Sequence, residues 1–140
     1  MIMNSPVKRL YTVPVTSTQF DLGGPYMLAG AIRYCYQIDG ANRRSGIQFN
    51  RVFASRRYSE KTCKVWYIEV AYDSLVEIEN SDWVEELQAD TSETQFRLGQ
   101  KWEMHHYLIY LDSFGSFEAV AESWEVLPEV GGLWPSPSTI

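Results

Sequence analysis

The strongest constraint on the fold is an alternation of side-chain types in the first half of the chain. In AIRYCYQI, residues 31–38, large apolar side chains alternate with smaller or polar ones. Successive residues of a β-strand point to opposite faces of a sheet, so this pattern predicts a strand with one aromatic, buried face. A polar turn sequence follows at residues 39–46, and IQFNRVFASRRY, residues 47–58, again has the period of a strand. The first two strands are therefore predicted to form one long hairpin.

The middle of the chain contains weaker signals. KVWYIEVAY, residues 64–72, is dense in aromatic and β-branched residues and predicts a strand, although a helical period also fits it. The capping-box spacing of Ser74 and Glu77, and a second helix start at Ser81 or Asp82, predict helical structure over residues 74–89, with a break near Asn80. The polar sequence ADTSETQ, residues 89–95, is typical of a connector.

The order of these elements predicts the fold class. Residues 103–112 and 117–126 flank a turn sequence and predict a second hairpin. We expect one α+β domain over residues 26–127, with an antiparallel sheet of about five to six strands and one or two short helices on one face. Residues 1–25 are predicted to form an arm with a possible edge strand, and residues 128–140 a tail rich in Pro, Gly and Ser, in which Trp134 docks on its own domain or a neighbouring subunit.

Composition and charge narrow the functional class. The chain has 140 residues, 45% of them hydrophobic, which suffices for one domain with its own core. A net charge of −6 argues against general nucleic-acid binding, which depends on cationic side chains. No apolar run is long enough to cross a membrane, and Cys35 and Cys63 are expected as free thiols, so we expect a cytoplasmic protein. Apolar side chains on both faces of several strands predict a homo-oligomer, most simply a symmetric dimer, or a concave ligand pocket.

The charges are unevenly distributed along the chain. Residues 33–64 contain eight basic and two acidic residues, whereas residues 65–130 contain fifteen acidic and two basic residues. Arg51 lies between Phe49 and Phe53 on one predicted strand face, and a guanidinium there can hold a phosphate or carboxylate with two hydrogen bonds. Two structural alternatives are that these arginines pair with the acidic second half, or that Arg51 lies at a bulge and reaches solvent. The expected ligand-binding residues are Arg33, Phe49, Arg51, Phe53, Arg56 and Arg57.

These residues indicate a small non-enzymatic binding module that holds an anionic small ligand or an acidic partner. The first alternative is a metal-dependent or acid/base enzyme centred on His105 and Glu103, which share a strand face, whereas His106 points to the opposite face. The second is a purely structural, oligomerising protein. The sequence lacks the G-x-S-x-G, G-x-x-x-x-G-K-[ST], G-x-G-x-x-G, H-E-x-x-H and C-x-x-C motifs, so enzymatic activity is not favoured, no metal site is predicted and no cofactor is identified.

Overall fold

A computed structural model describes residues 6–38, 43–112 and 114–131. Their elements, in chain order, are β1 (Val7–Thr12), a 3₁₀ turn (Ser17–Gln19), β2 (Tyr26–Leu28), β3 (Ala31–Ile38), β4 (Arg43–Tyr58), α1 (Val65–Ala71), β5 (Ser74–Ile78), α2 (Asp82–Leu98), β6 (His105–Leu111), β7 (Gly115–Val126) and β8 (Val130–Gly131).

The strands form one antiparallel sheet. Its order is β1-β5-β6-β7-β4-β3-β2, and β8 pairs with β4 beside β3. The predicted α+β class with an antiparallel sheet is confirmed, as are the hairpins β3–β4 and β6–β7. The predicted count of five to six strands is too low, because short strands such as β2 and β8 lack enough residues to show an alternation.

The middle of the chain differs from the prediction in three places. Residues 65–71 form the helix α1 and not a strand; Tyr67 and Ala71, four residues apart, are buried on the same side of it. Residues 74–78 form the strand β5 and not a helix, because this strand lies between β1 and β6 and is buried on both faces. The predicted connector over residues 89–95 is wrong, since α2 continues through it to Leu98.

The helix start predicted at Ser81 or Asp82 is confirmed, and Ser81 is the N-cap. Its side chain accepts a hydrogen bond from the backbone N–H of Val84 at 3.3 Å, which satisfies a donor of the first turn. The later turns of α2 are held by Gln95, whose buried amide oxygen accepts the backbone N–H of Trp102 at 2.7 Å. A buried glutamine makes this helical segment look polar in sequence.

The sheet curls around its own aromatic face. Tyr11 of the edge strand β1 and Tyr36 of β3, near the opposite edge, join their hydroxyl groups at 2.9 Å. Phe20, before β2, packs its ring 4.8 Å from Tyr34 and 5.0 Å from Tyr36. Residues of the same chain thus fill the inner core, so this face of the sheet is not left uncovered. The homo-oligomer, which an uncovered face suggested, stays a prediction.

The helices lie on the outer face of the sheet. Trp66, Tyr67 and Ala71 of α1 pack with apolar side chains of β5 and β6, such as Val76 and Leu108, in a second core cluster. Within the described ranges, neither helix has the length and hydropathy needed to cross a membrane. β8 pairs the start of the predicted tail with β4, whereas Trp134 lies outside the described residues.

Candidate functional site

An open hollow lies beside the β3–β4 hairpin and brings Arg33 and Arg51 together. Its volume is about 560 Å³. Apolar side chains and the Ala29-Gly30 turn form part of its wall, and the amides of Gln48 and Asn50 form the polar part. The lining residues are Leu28, Ala29, Gly30, Ala31, Arg33, Gln48, Asn50, Arg51 and Val52.

The polar wall of this hollow is held by a chain of hydrogen bonds. Arg33 Nε donates to Gln48 Oε1 at 2.6 Å, and Gln48 Nε2 donates to Asn50 Oδ1 at 2.7 Å. Asn50 Nδ2 then donates to Ser123 Oγ and Glu125 Oε2 on the neighbouring strand, each at 3.1 Å. The amides are therefore oriented before any ligand arrives.

Arg51 has an unusual backbone for its residue type. Its φ angle is +51°, in the left-handed region that most residues other than glycine and asparagine avoid. The guanidinium lies 5.7 Å from the Phe53 ring centre and 5.6 Å from that of Trp102, and it pairs with Glu122 at 3.3 Å. The side chains of the pair are 48% and 42% exposed, so this ion pair is weak and exchangeable.

The other arginines and phenylalanines expected at the site lie elsewhere. Phe49 is buried in the inner core against Tyr107 and Phe117. Phe53 stacks on Trp102 with 5.5 Å between the ring centres, and both rings contact the guanidinium of Arg51. These aromatic rings position a cation and are not placed to stack on a ligand in the hollow.

Arg56 and Arg57 are separated from the hollow and from each other. Arg57 lies against Gly24, with Nη1 only 2.7 Å from the point where a Cβ at this glycine would stand. Arg56 faces the helices and is held by a buried carboxylate, Glu118. Of the four predicted arginines, the fold thus assembles two at one hollow.

A second constellation joins three neighbouring strands and the helix α1 on the outer face. Its centre is Glu118 of β7, whose side chain is fully buried. Arg56 of β4 donates to it through Nε at 2.8 Å and Nη2 at 3.0 Å, and Tyr67 of α1 donates its hydroxyl at 2.7 Å. His106 of β6 completes the set, with Nε2 at 2.7 Å from Glu118 Oε1.

Burial opposes the charge on Glu118 and acts to raise its pKa, but the hydrogen bonds from His106, Arg56 and Tyr67 outweigh burial and lower the pKa from 4.5 to about 2. The hydrogen bond from Arg56 to Glu118 in turn raises the pKa of Arg56. The pKa of Tyr67 is raised mainly by burial and, to a smaller extent, by its hydrogen bond to Glu118. Glu118 is therefore a carboxylate at neutral pH and accepts from all three neighbours.

His106 connects this carboxylate to Ser81. Because ionised Glu118 can only accept, His106 Nε2 carries the proton, and Nδ1 accepts the hydroxyl proton of Ser81 at 2.7 Å. Trp83 packs edge-on against the His106 ring and lies under the Arg56 guanidinium, 3.9 Å from its ring centre. The resulting order is Ser81, His106, Glu118, with Arg56 and Tyr67 behind the carboxylate.

Two hollows border this relay, and both are lined by Ser81 and His106. One, of about 250 Å³, lies between Trp66, Tyr67 and Trp83, with Lys64, Asp82 and Glu86 also on its walls. The other, of about 520 Å³, extends from Ser81 and His106 to Met104 and His105. The polar chain thus ends where small molecules have space.

His105 lies on the opposite face of β6 from His106. Its Nδ1 is 2.7 Å from Glu77 Oε2, and its Nε2 is 3.5 Å from Glu103, which is 70% exposed. Among the residues that the structure describes, no three His, Cys, Asp or Glu side chains are grouped closely enough to hold a metal ion. His105 and Glu103 do lie close together, as the sequence suggested, but the buried hydrogen-bond partners belong to His106.

Sequence reasoning did not find the Ser81–His106–Glu118 relay. One signal was available: in GSFEAVA, residues 115–121, Glu118 is a carboxylate on a strand whose two faces are otherwise apolar. A carboxylate at such a position requires a buried partner. Its partners come from three other elements, however, and their proximity depends on the strand order.

Comparisons of this chain with protein-family models, with curated proteins and with solved structures found no match. No relative therefore supplies a function for this chain.

Proposed function

We propose that this protein is a binding module for a small anionic ligand, which it holds in the hollow between Arg33 and Arg51. The observation that carries the proposal is that the fold brings these two guanidinium groups, 18 residues apart in the chain, to one concave surface together with two oriented amides. Guanidinium N–H groups are donors that suit phosphate and carboxylate oxygens, and the two amides hold the Arg33 side chain in place through the hydrogen bonds of Gln48 and Asn50.

The backbone of Arg51 gives independent support. Four residues other than glycine have positive φ in the described ranges, and two of them, Ala29 and Arg51, line this hollow. Ala29 takes its positive φ in the two-residue turn between β2 and β3, whereas Arg51 lies inside β4, where such a conformation costs about 1–3 kcal/mol and is characteristic of functional sites. The strained backbone directs the guanidinium over Phe53 and Trp102 and towards the rim of the hollow.

The size and lining of the hollow indicate the class of ligand. A volume of about 560 Å³ lies within the range of sites for small molecules. Apolar walls at Leu28, Ala31 and Val52 suit the carbon skeleton of a phosphate ester or carboxylic acid, with its anionic group between the arginines. A ligand anion replaces Glu122 as the partner of Arg51, which costs little because that pair is exposed.

Thermal denaturation with inorganic phosphate, pyrophosphate and adenosine monophosphate tests the proposal. At 100 times its dissociation constant, a bound anion stabilises the protein by about 2.7 kcal/mol. The Arg51→Gly variant is the decisive one: glycine accepts a φ of +51° without strain, so this variant folds at least as stably as the wild type but loses the anion-induced shift.

Two separate variants at Arg97, Arg97→Gly and Arg97→Ala, are the matched controls. Arg97 is an exposed arginine of α2 that pairs with Glu93, and it does not line the hollow. Arg97→Ala should keep the full anion-induced shift, and Arg97→Gly reports the cost of glycine at a site without backbone strain. If none of the three anions stabilises the wild type, or if Arg51→Gly retains the shift, the proposal is wrong. The cytoplasmic location and the homo-oligomer remain predictions that these experiments do not address.

A further inference from the structure

We infer that Ser81 is a nucleophile for acyl transfer and that the outer face of the sheet carries a second, esterase-type site, separate from the anion-binding hollow. The hydrogen-bonded order Ser81, His106, Glu118, with both links at 2.7 Å, is the arrangement that activates a serine hydroxyl. The inference is independent of the proposed binding function, because the two sites share no residue.

The chain reaches Ser81 through a strand, a sharp turn and a helix. β5 ends at Ile78, Asn80 adopts a φ of +53°, and α2 begins at Asp82 directly after the serine. A sharp turn from strand to helix is how hydrolases present a nucleophilic serine, although this chain reaches the geometry with ENSDW in place of a G-x-S-x-G motif.

The same turn supplies donors for a developing oxyanion. The first N–H groups of a helix have no acceptor within the helix, and α2 begins with those of Asp82 and Trp83. The N–H of the residue after the nucleophile is one of the two usual donors to a tetrahedral intermediate. Val84 N–H is already used by Ser81 Oγ, which fixes the hydroxyl against the relay.

Each member of the relay has one function in the reaction. Ser81 Oγ bonds to the carbonyl carbon of an ester while its proton passes to His106 Nδ1. The bond from that carbon to the leaving oxygen then breaks, and the alcohol departs with the proton from Nδ1. A water molecule attacks the acyl-serine in the same way, so ester and water give acid and alcohol.

Glu118 is a positioning residue that stabilises the imidazolium formed when His106 takes the proton. Its charge is held by Arg56 and Tyr67, so it stays ionised throughout. His106 uses Nδ1 towards the serine and Nε2 towards the carboxylate; an imidazole protonated at one nitrogen is basic at the other, so the chemistry is the same with either orientation.

The lining residues indicate small acyl groups. The hollow between Trp66, Tyr67 and Trp83 has only about 250 Å³, less than a typical drug-sized site. The aromatic part of its wall, at Trp66, Tyr67 and Trp83, suits an apolar acyl group, and the larger hollow of about 520 Å³, which Ser81 also lines, can receive the alcohol portion. The expected substrates are esters of short carboxylic acids.

Covalent labelling tests the inference without a known substrate. The folded wild-type protein is incubated with a small alkyl fluorophosphonate, and the modified residue is mapped by peptide mass spectrometry. We expect stoichiometric modification of Ser81, a burst of nitrophenol from p-nitrophenyl acetate, and an acetyl group on the same serine.

Two variants separate chemistry from folding. Ser81→Gly removes the nucleophile but remains a tolerable N-cap, so it should keep the wild-type circular dichroism spectrum and lose all labelling. Ser92→Gly, in the exposed part of α2, is the control and should label as the wild type does. The inference is overturned if native wild-type protein is not modified at Ser81, or if Ser81→Gly shows the same modification and burst.

Discussion

Replacing Glu118 by glutamine tests the energetics of the buried network. The substitution keeps the shape of the side chain but removes its charge. In the wild-type protein Arg56 donates to both carboxylate oxygens of Glu118, so the NH₂ group of the glutamine would face one of the Arg56 donors. Breaking a buried ion pair by removing one partner costs about 3–5 kcal/mol. Arg56 is 32% exposed and regains some hydration, so we expect a loss near 3 kcal/mol at pH 7.

The pKa of Glu118 gives the same magnitude by a second route. The pKa falls from 4.5 to about 2 on folding, which corresponds to about 3 kcal/mol of stability. Because the folded state binds its proton less tightly than the unfolded state does, this stability is complete above pH 5 or so and is lost as the pH falls from about 4.5 towards 2. At pH 3, roughly 40% of it remains.

Urea denaturation followed by tryptophan fluorescence, at several values between pH 3 and pH 7, measures both effects. The difference in unfolding free energy between wild type and Glu118→Gln should shrink by more than half over this range. Glu122→Gln, on the same strand and in an exposed pair, is the matched control and should cost less than about 1 kcal/mol. A Glu118→Gln difference that is below about 1 kcal/mol, or that does not change with pH, would refute the reasoning.

Three further substitutions test the packing, each by chemical denaturation. Gly115→Ala should cost at least about 2 kcal/mol, because φ is +90° and the new Cβ would lie 2.1 Å from a backbone carbonyl oxygen of β4; a cost below 1 kcal/mol contradicts this contact. Gln95→Ala leaves the buried N–H of Trp102 without its acceptor and should cost about 1–3 kcal/mol, whereas no loss would mean that the amide does not hold α2. Tyr36→Phe removes the hydroxyl bonded to Tyr11 and should cost about 1 kcal/mol, and an unchanged stability would argue against closure of the sheet at this point.

The hairpins β3–β4 and β6–β7 could be predicted from sequence because two runs of strand length flank a polar or glycine-containing turn sequence in each of them. In AIRYCYQI the alternation matches the burial of Ile32, Tyr34 and Tyr36 in the inner core. The prediction for residues 65–78 was wrong for two reasons. β5 is buried on both faces and therefore shows no alternation, and α1 is so short that a period of two and a period of 3.6 both fit it. Only the position of β5 between β1 and β6 distinguishes the two readings.

The two sites differ in how much of them is local. Arg33 and Arg51 belong to one hairpin, so pairing of Arg33 with Gln48 and the position of Arg51 three residues later follow from its register. The positive φ of Arg51 and the register shift between Val52 and Ala54 are not local in this sense, since the sequence carries no turn signal at either position. Ser81 and His106 meet only because β5 and β6 are neighbours, which a single sequence does not specify.

The most direct test of the binding site observes the arginine side chains themselves. In ¹H–¹⁵N spectra of labelled protein titrated with inorganic phosphate, the Nε–H signals of Arg33 and Arg51 should shift together and saturate at one concentration, whereas the Nε–H of Arg56, bound to Glu118, should not move. If the signals of Arg33 and Arg51 stay unchanged, or if every arginine shifts alike without saturation, the hollow does not bind anions.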